Sequence, residues 1–243
     1  MTLNTGIVSF RLQAMCITKD RVRMCYSIGF SASSIVTTNF VTRMTDRYDP
    51  NGENCEINPH RPIADFELLI DAPSTYQHAL VEDKHIVFID RFANQRELPD
   101  HCYQIRYHQP CDNQTFLAWT DQVVNTFRHA LIPSFLSFDL NNLVDILQAE
   151  PSKRFSLQSI TLDEINDLGS TRPALGHANS LLFVIICGPA LKLDVYAEVA
   201  NSVTRSIKEH SSVYFTVYEY PHLPQLNIAM LYGTPNATKP ENL

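Results

Sequence analysis

A chain of 243 residues, 44% hydrophobic and 19% charged, has the length for one large α/β domain or two small ones and the apolar content to bury a core, which excludes a disordered tail. Its 19 basic and 26 acidic residues leave a net charge of -7, with no basic run longer than the Lys153-Arg154 pair, so the phosphate-neutralising patch of a nucleic-acid binder is missing. Only 7 glycines occur, where an average composition of about 7% would give roughly 17, and their spacing excludes both a Walker loop and an intact GxGxxG turn.

In chain order, Val22 to Ile28 is β-branched and aromatic and closes on Gly29, which predicts a strand and a turn. Ile35, Val36, Phe40, Val41 and Met44 then recur at helical spacing. Asp49 to Pro62 is a loop by its Pro, Asn and Gly breakers. Phe66 to Ile70 and His85 to Ile89 are short apolar runs of the buried-strand type, and Cys102 to Tyr107 is a weaker strand. Thr115 to Leu131 reads as a helix stopped by Pro133. Asn141 to Gln148 is a short helix, Pro151 to Leu175 is polar, and Leu181 to Cys187 is a central strand ending at Gly188. Val195 to His210 is an amphipathic helix with Val199, Val203 and Ile207 on one face. Val213 to Tyr218 and Leu226 to Leu231 form a pair of strands linked by the turn at Tyr220 to Pro224.

The longest apolar run, Leu181 to Cys187, is far short of the roughly 20 residues that span a bilayer. The amino terminus carries no positive segment followed by an apolar one, so a cytoplasmic protein without membrane insertion is expected. The cysteines Cys16, Cys25, Cys55, Cys102, Cys111 and Cys187 form no CxxC pair and read as reduced thiols. His101, Cys102, His108 and Cys111 do not have zinc-module spacing, and strand alternation sends them to opposite faces, so no metal is expected.

From His177 to Thr234 the chain resembles the C-terminal domain of the bacterial division tubulin FtsZ: Ala178, Gly188, Leu191, Leu193 and the Gly233-Thr234 pair fall in step with that family's strand, turn and closing strand. Pro133 to Asn142 resembles the family's synergy loop, which reaches into the nucleotide pocket of the next subunit. Thr115 to Val123 resembles the start of its central helix, where an aromatic and an acid hold guanine; Phe116 and Asp121 stand at those places. Val22 to Met44 resembles the first strand and phosphate turn, with Gly29 retained and Ser31, Ala32, Ser33 and Ser34 where glycines pack on phosphate. His85 to Arg96 takes the place of the tubulin signature loop and has no glycine.

The resemblance implies an α/β, FtsZ/tubulin-like fold. Residues 1–114 would be a truncated Rossmann-type half, 115–140 the central helix and synergy-like loop, 141–234 an α+β C-terminal domain and 235–243 a tail. Asp121 to Pro133 spans 12 positions, about one 3.6-residue turn fewer than in the family, so the central helix is shortened. The implied nucleotide-binding candidates are Gly29, Phe116 and Asp121, and Asp139 is the catalytic candidate. The second acid position is Asn142, and an amide does not polarise water as a carboxylate does. The plain readings stand beside these: Phe116 as core, Asp121 as a helix-dipole residue and Asp139 as a helix cap. The expectation is a GTPase-deficient protein with no required cofactor, GTP being the nucleotide the resemblance admits. It would contact FtsZ or itself and modulate or cap assembly in cell division. The alternative is a divergent GTP-binding protein that still polymerises or switches.

Overall fold

Continuous apolar runs become strands buried on both faces. In the computed structural model, which describes residues 8–18, 21–32, 55–56, 66–76, 84–131, 140–161, 175–187, 193–209, 211–219 and 227–234, the chain divides into two units, Met1–Asp121 and Gln122–Leu243.

The first unit is a mixed sheet in the order β3-β1-β2-β4-β5-β6, formed by β1 (Val8–Thr18), β2 (Arg21–Ala32), β3 (Cys55–Glu56), β4 (Phe66–Ile70), β5 (His85–Asp90) and β6 (Cys102–Arg106). From β2 to β6 the strands run parallel, with Ile70 beside Ile89 and Ile89 beside Ile105. β4 is buried along its whole length, as a parallel strand covered on both faces must be. Leu69, Ile86, Phe88 and Cys102 share one face with Ala72, and Leu98 and Tyr76 pack against them. Residues 91–101, which carry the chain from β5 to β6, contain no helix, although a parallel crossover usually does. Leu98 in that apolar cluster is one of the two anchors of this crossover.

Two expectations need correcting here. The strand that was to close on Gly29 continues through Ala32, and Gly29 is paired with Arg11 on one side and Glu67 on the other. A preceding strand, β1, pairs antiparallel with it across a bulge at Ala14/Met15 and also with β3 inside the Asp49–Pro62 loop. β1 gives β2 a partner on its second side, so the ladder holds the chain extended past the glycine. The helix expected over Ile35 to Met44 lies outside the described residues, as do Asp139, Gly188 and the tail 235–243.

Helix α1 (Asn113–Leu131) starts two residues earlier than the apolar period indicates, because Asp112 caps it: its Oδ1 accepts from the Thr115 N–H at 2.7 Å. Near its other end, burial and the neighbouring Arg128 charge push the His129 imidazole down to about 4 from its ordinary 6.5. The unfolded chain therefore binds a proton that the folded one refuses within that window. His129's contribution is whole above about pH 6.5 and is lost as pH falls towards 4. Urea midpoints measured from pH 7 to pH 4.5 are expected to fall less steeply in His129→Phe than in the wild type; equal slopes would refute this.

The second unit is a sheet in the order β7-β10-β8-β9, from β7 (Arg154–Thr161), β8 (Ser180–Cys187), β9 (Ser212–Glu219) and β10 (Asn227–Gly233). β10 runs antiparallel to both neighbours and β8 parallel to β9. Helix α2 (Leu140–Gln148) buries Leu143, Ile146 and Leu147 completely. Helix α3 (Leu193–Thr204) sets Val199 and Val203 against Phe183, Ile185 and Met230.

Three more readings change. β7 lies inside the stretch read as polar, with Phe155, Leu157 and Ile160 as its buried residues. β9 and β10 are not a hairpin pair: β10 is buried from Ile228 to Gly233 and takes the central place between β7 and β8, whereas β9 is half-buried. α3 stops at Thr204, six residues short, where the hydroxyls of Thr204 and Ser206 bond back to the carbonyls of Ala200 and Ser202 and draw the last turn out of register. Ile207 still packs on the core from beyond the helix.

The end of β10 is tied to the turn after α2. Glu150 is buried and accepts from the Asn179 N–H at 3.1 Å, the Asn179 amide at 3.2 Å and the Ser152 N–H at 3.3 Å. Its carboxylate lies against Gly233, where a Cβ would sit 2.6 Å from Glu150 Cδ, so any larger residue there would displace Glu150 from these bonds. The Ser152 hydroxyl donates to the Thr234 carbonyl at 2.6 Å.

Candidate functional site

In open parallel sheets ligands bind beyond the carboxyl ends of the strands, so the residues leaving β4, β5 and β6 form the candidate site. Asp71 leaves β4 in the left-handed region, φ 52°, with its N–H donating to the Ile89 carbonyl at 2.9 Å. Arg91, the first residue after β5, donates from Nε to the Asp71 carboxylate at 3.0 Å. Its guanidinium lies 4.3 Å from the centre of the Phe116 ring.

Beside this pair is a buried one. Asp90 ends β5 with no exposure at all, and Arg96 reaches back from the crossover to donate from Nε and Nη2 to its two oxygens, each at 2.7 Å. Nη2 also donates to the Ala72 carbonyl at 2.8 Å and Nη1 to the Pro73 carbonyl at 3.3 Å, and the guanidinium lies 4.0 Å over the Phe88 ring. Gln104, a fully buried residue of β6, donates to Asp90 Oδ2 at 2.7 Å and to the Asn94 carbonyl at 3.0 Å. The Asn94 amide approaches Asp90 Oδ1 at 3.5 Å. Burial raises the Asp90 carboxyl above its ordinary range, while Arg96, Gln104 and Asn94 pull it down. Strand alternation explains the placement: Phe88 and Asp90 share one face of β5, and Gln104 pairs beside Phe88, so the apolar face turns polar at its carboxyl end.

Of the residues singled out in the sequence, Phe116 is completely buried, next to Trp119 at 5.9 Å between ring centres and under Arg91. Asp121 is half-buried on the same helix, five positions and so about 140° further round, which puts the two side chains on different flanks. Gly29 is inside β2, three positions before its end. Asp139 is outside the described residues. His101 and Cys102 stand at the amino end of β6 and His108 and Cys111 beyond its carboxyl end. Among the described residues no three His, Cys, Asp or Glu side chains converge as metal ligands, and no helix is long and apolar enough to cross a membrane.

Sequence reasoning missed Asp71, Asp90, Arg91, Arg96 and Gln104. The available signal was polar residues in or just after buried strands: Asp90-Arg91 directly follows an apolar run, and Gln104 occupies an interior strand position. Chemically the arrangement is two neutralised carboxylate–guanidinium pairs with aromatic rings beneath the guanidinium groups. Among the described residues, these side chains occupy the carboxyl ends of β4 and β5.

No family profile matches the chain, and no curated protein matches it in sequence. Among solved structures it is similar to an empty FtsZ dimer from M. jannaschii, with TM-score 0.50 and 9% identity over 80% of this chain and 67% of that one. A W319Y mutant of M. jannaschii FtsZ gives TM-score 0.50 and 8% identity over 80% and 70%. A CetZ from Methanosaeta thermophila gives TM-score 0.49 and 12% identity over 82% and 67%. The two FtsZ likenesses establish an FtsZ/tubulin-like fold.

Proposed function

We propose that this chain, FtsZ/tubulin-like in fold, is a GTPase-deficient protein that acts by contact with FtsZ-type subunits or with its own copies, modulating or capping their assembly in cell division. The observation that carries this reading is the buried Asp90–Arg96–Gln104 group at the carboxyl ends of the parallel strands. A nucleotide phosphate at that place would have to approach the Asp90 carboxylate, of like charge, and take Arg96 from it. It would do so in a loop, residues 91–101, that has no glycine to let it reach backbone N–H groups. Stacking a base on Phe116 would likewise require breaking the Arg91–Asp71 pair that covers its ring. The similar M. jannaschii protein was solved as a dimer, which supports subunit contact as the mode of action.

Titration calorimetry with GTP and Mg²⁺ up to millimolar nucleotide is expected to give no heat of binding, and phosphate release to stay at background. At equimolar ratio the protein is expected to co-pellet with FtsZ and to change its polymer mass. GTP turnover would overturn the first half of the reading. No co-pelleting, unchanged polymer and a monomer in sedimentation would overturn the second.

A further inference from the structure

We propose that Arg96, Gln104 and Asn94 form a built oxyanion cradle, selective for a carboxylate or phosphate oxygen pair, which the chain keeps occupied with its own Asp90 side chain. The inference rests on the reading above and explains how the strand ends stay closed to phosphates. Both carboxylate oxygens are engaged: Oδ1 accepts from Arg96 Nη2 at 2.7 Å with Asn94 Nδ2 at 3.5 Å, and Oδ2 accepts from Arg96 Nε and Gln104 Nε2, each at 2.7 Å. A guanidinium edge offering two parallel N–H groups matches the oxygen pair of a carboxylate or a phosphate equally well.

The donors are held in place by more than Asp90. Arg96 is fastened to the Ala72 and Pro73 carbonyls and lies on the Phe88 ring. Gln104 is held independently of Asp90 by the bond from its second amide N–H to the Asn94 carbonyl at 3.0 Å. Removing the Asp90 carboxylate therefore leaves an assembled ring of donors around a buried cation: the Arg96 side chain is 3% exposed. A buried guanidinium deprived of the two Asp90 oxygens draws in an anion that restores those bonds, since water does not replace them at a buried charge. In the wild type the tethered carboxylate competes at the high effective concentration of an intramolecular ligand, so anions in solution are kept out.

The test is chemical rescue of Asp90→Ala, with wild type and the double variant Asp90→Ala/Arg96→Met as controls. Thermal midpoints are compared in sodium chloride, sodium formate and sodium phosphate at equal ionic strength. The expected result is a saturable rise of about 4 °C or more for Asp90→Ala in formate, phosphate or both, and no comparable rise in either control. Rescue by formate alone assigns a planar carboxylate site, and rescue by phosphate as well assigns a general oxyanion site. Equal shifts in all three proteins, or none in a folded Asp90→Ala, would overturn the cradle. Where Asp90→Ala does not fold in chloride, the readout is refolding yield in formate, and no gain while the double variant folds is equally fatal. GTP binding by the wild type would defeat the functional reading alone, and failed rescue of Asp90→Ala, alongside a wild type that binds no GTP, would defeat this inference alone.

Discussion

Arg96→Met is expected to lower the stability of the first unit by about 3–5 kcal/mol, the usual cost of leaving a buried charge without its partner. The loss is concentrated because Arg96 is also the second anchor of the β5–β6 crossover, bonding Ala72 and Pro73 from a loop that has no helix of its own. Trp119 is the single tryptophan and lies buried in the first unit, 5.1 Å from the Tyr107 ring, so its fluorescence during urea unfolding reports on this unit. Replacing both partners, as Asp90→Leu/Arg96→Met, removes the stranded carboxylate and is expected to recover most of the loss. A single variant within about 1 kcal/mol of wild type would show that the pair is not buried as described.

Phe116→Ala is expected to cost about 3–5 kcal/mol, the price of emptying a buried aromatic site. This outcome separates the two readings of the residue. A ring held out for a base would be dispensable to folding, whereas one with no exposure, packed by Trp119, is core. Phe116→Leu, which keeps most of the volume, is expected to retain most of the stability. Arg91→Ala removes only a partly exposed partner and is expected to cost less than about 1 kcal/mol. Unchanged urea midpoints in Phe116→Ala, with a change confined to nucleotide affinity, would return Phe116 to the role that its resemblance implies.

What could be read from the sequence was the continuous pattern. Phe66 to Ile70 and His85 to Ile89 are strands because nothing polar interrupts a run buried on both faces. β1 was legible in principle, since Val8, Phe10, Leu12 and Ala14 alternate with Ser9, Arg11 and Gln13, the period of a strand. Pairing was not legible: β9 and β10 follow one another in sequence, but which one is central depends on which is buried from end to end. The candidate site was hidden for the same reason. Asp90, Arg96 and Gln104 are separated by 6 and 8 positions, and only the parallel register that sets Phe88 beside Gln104 brings them together. In the sequence the resemblance to FtsZ rests on the strand, helix and strand succession of the second half, and the likeness in fold extends over 80% of the chain at 8–9% identity.

The central position of β10 dictates an order of events during synthesis. β7 and β8 are the flanking strands of a gap that β10 alone fills, and β10 is the last of the four to leave the ribosome. Until it emerges, the edges of β7 and β8 that β10 will fill, in strands carrying Phe155, Leu157 and Phe183, stand open to other nascent chains. The first unit has no such debt, because each of its strands precedes Asp121. The amino-terminal half can therefore assemble while the rest is being made, whereas the second unit waits for its closing strand. An open strand edge is a template for wrong pairing, so misassembly is expected to concentrate in that interval.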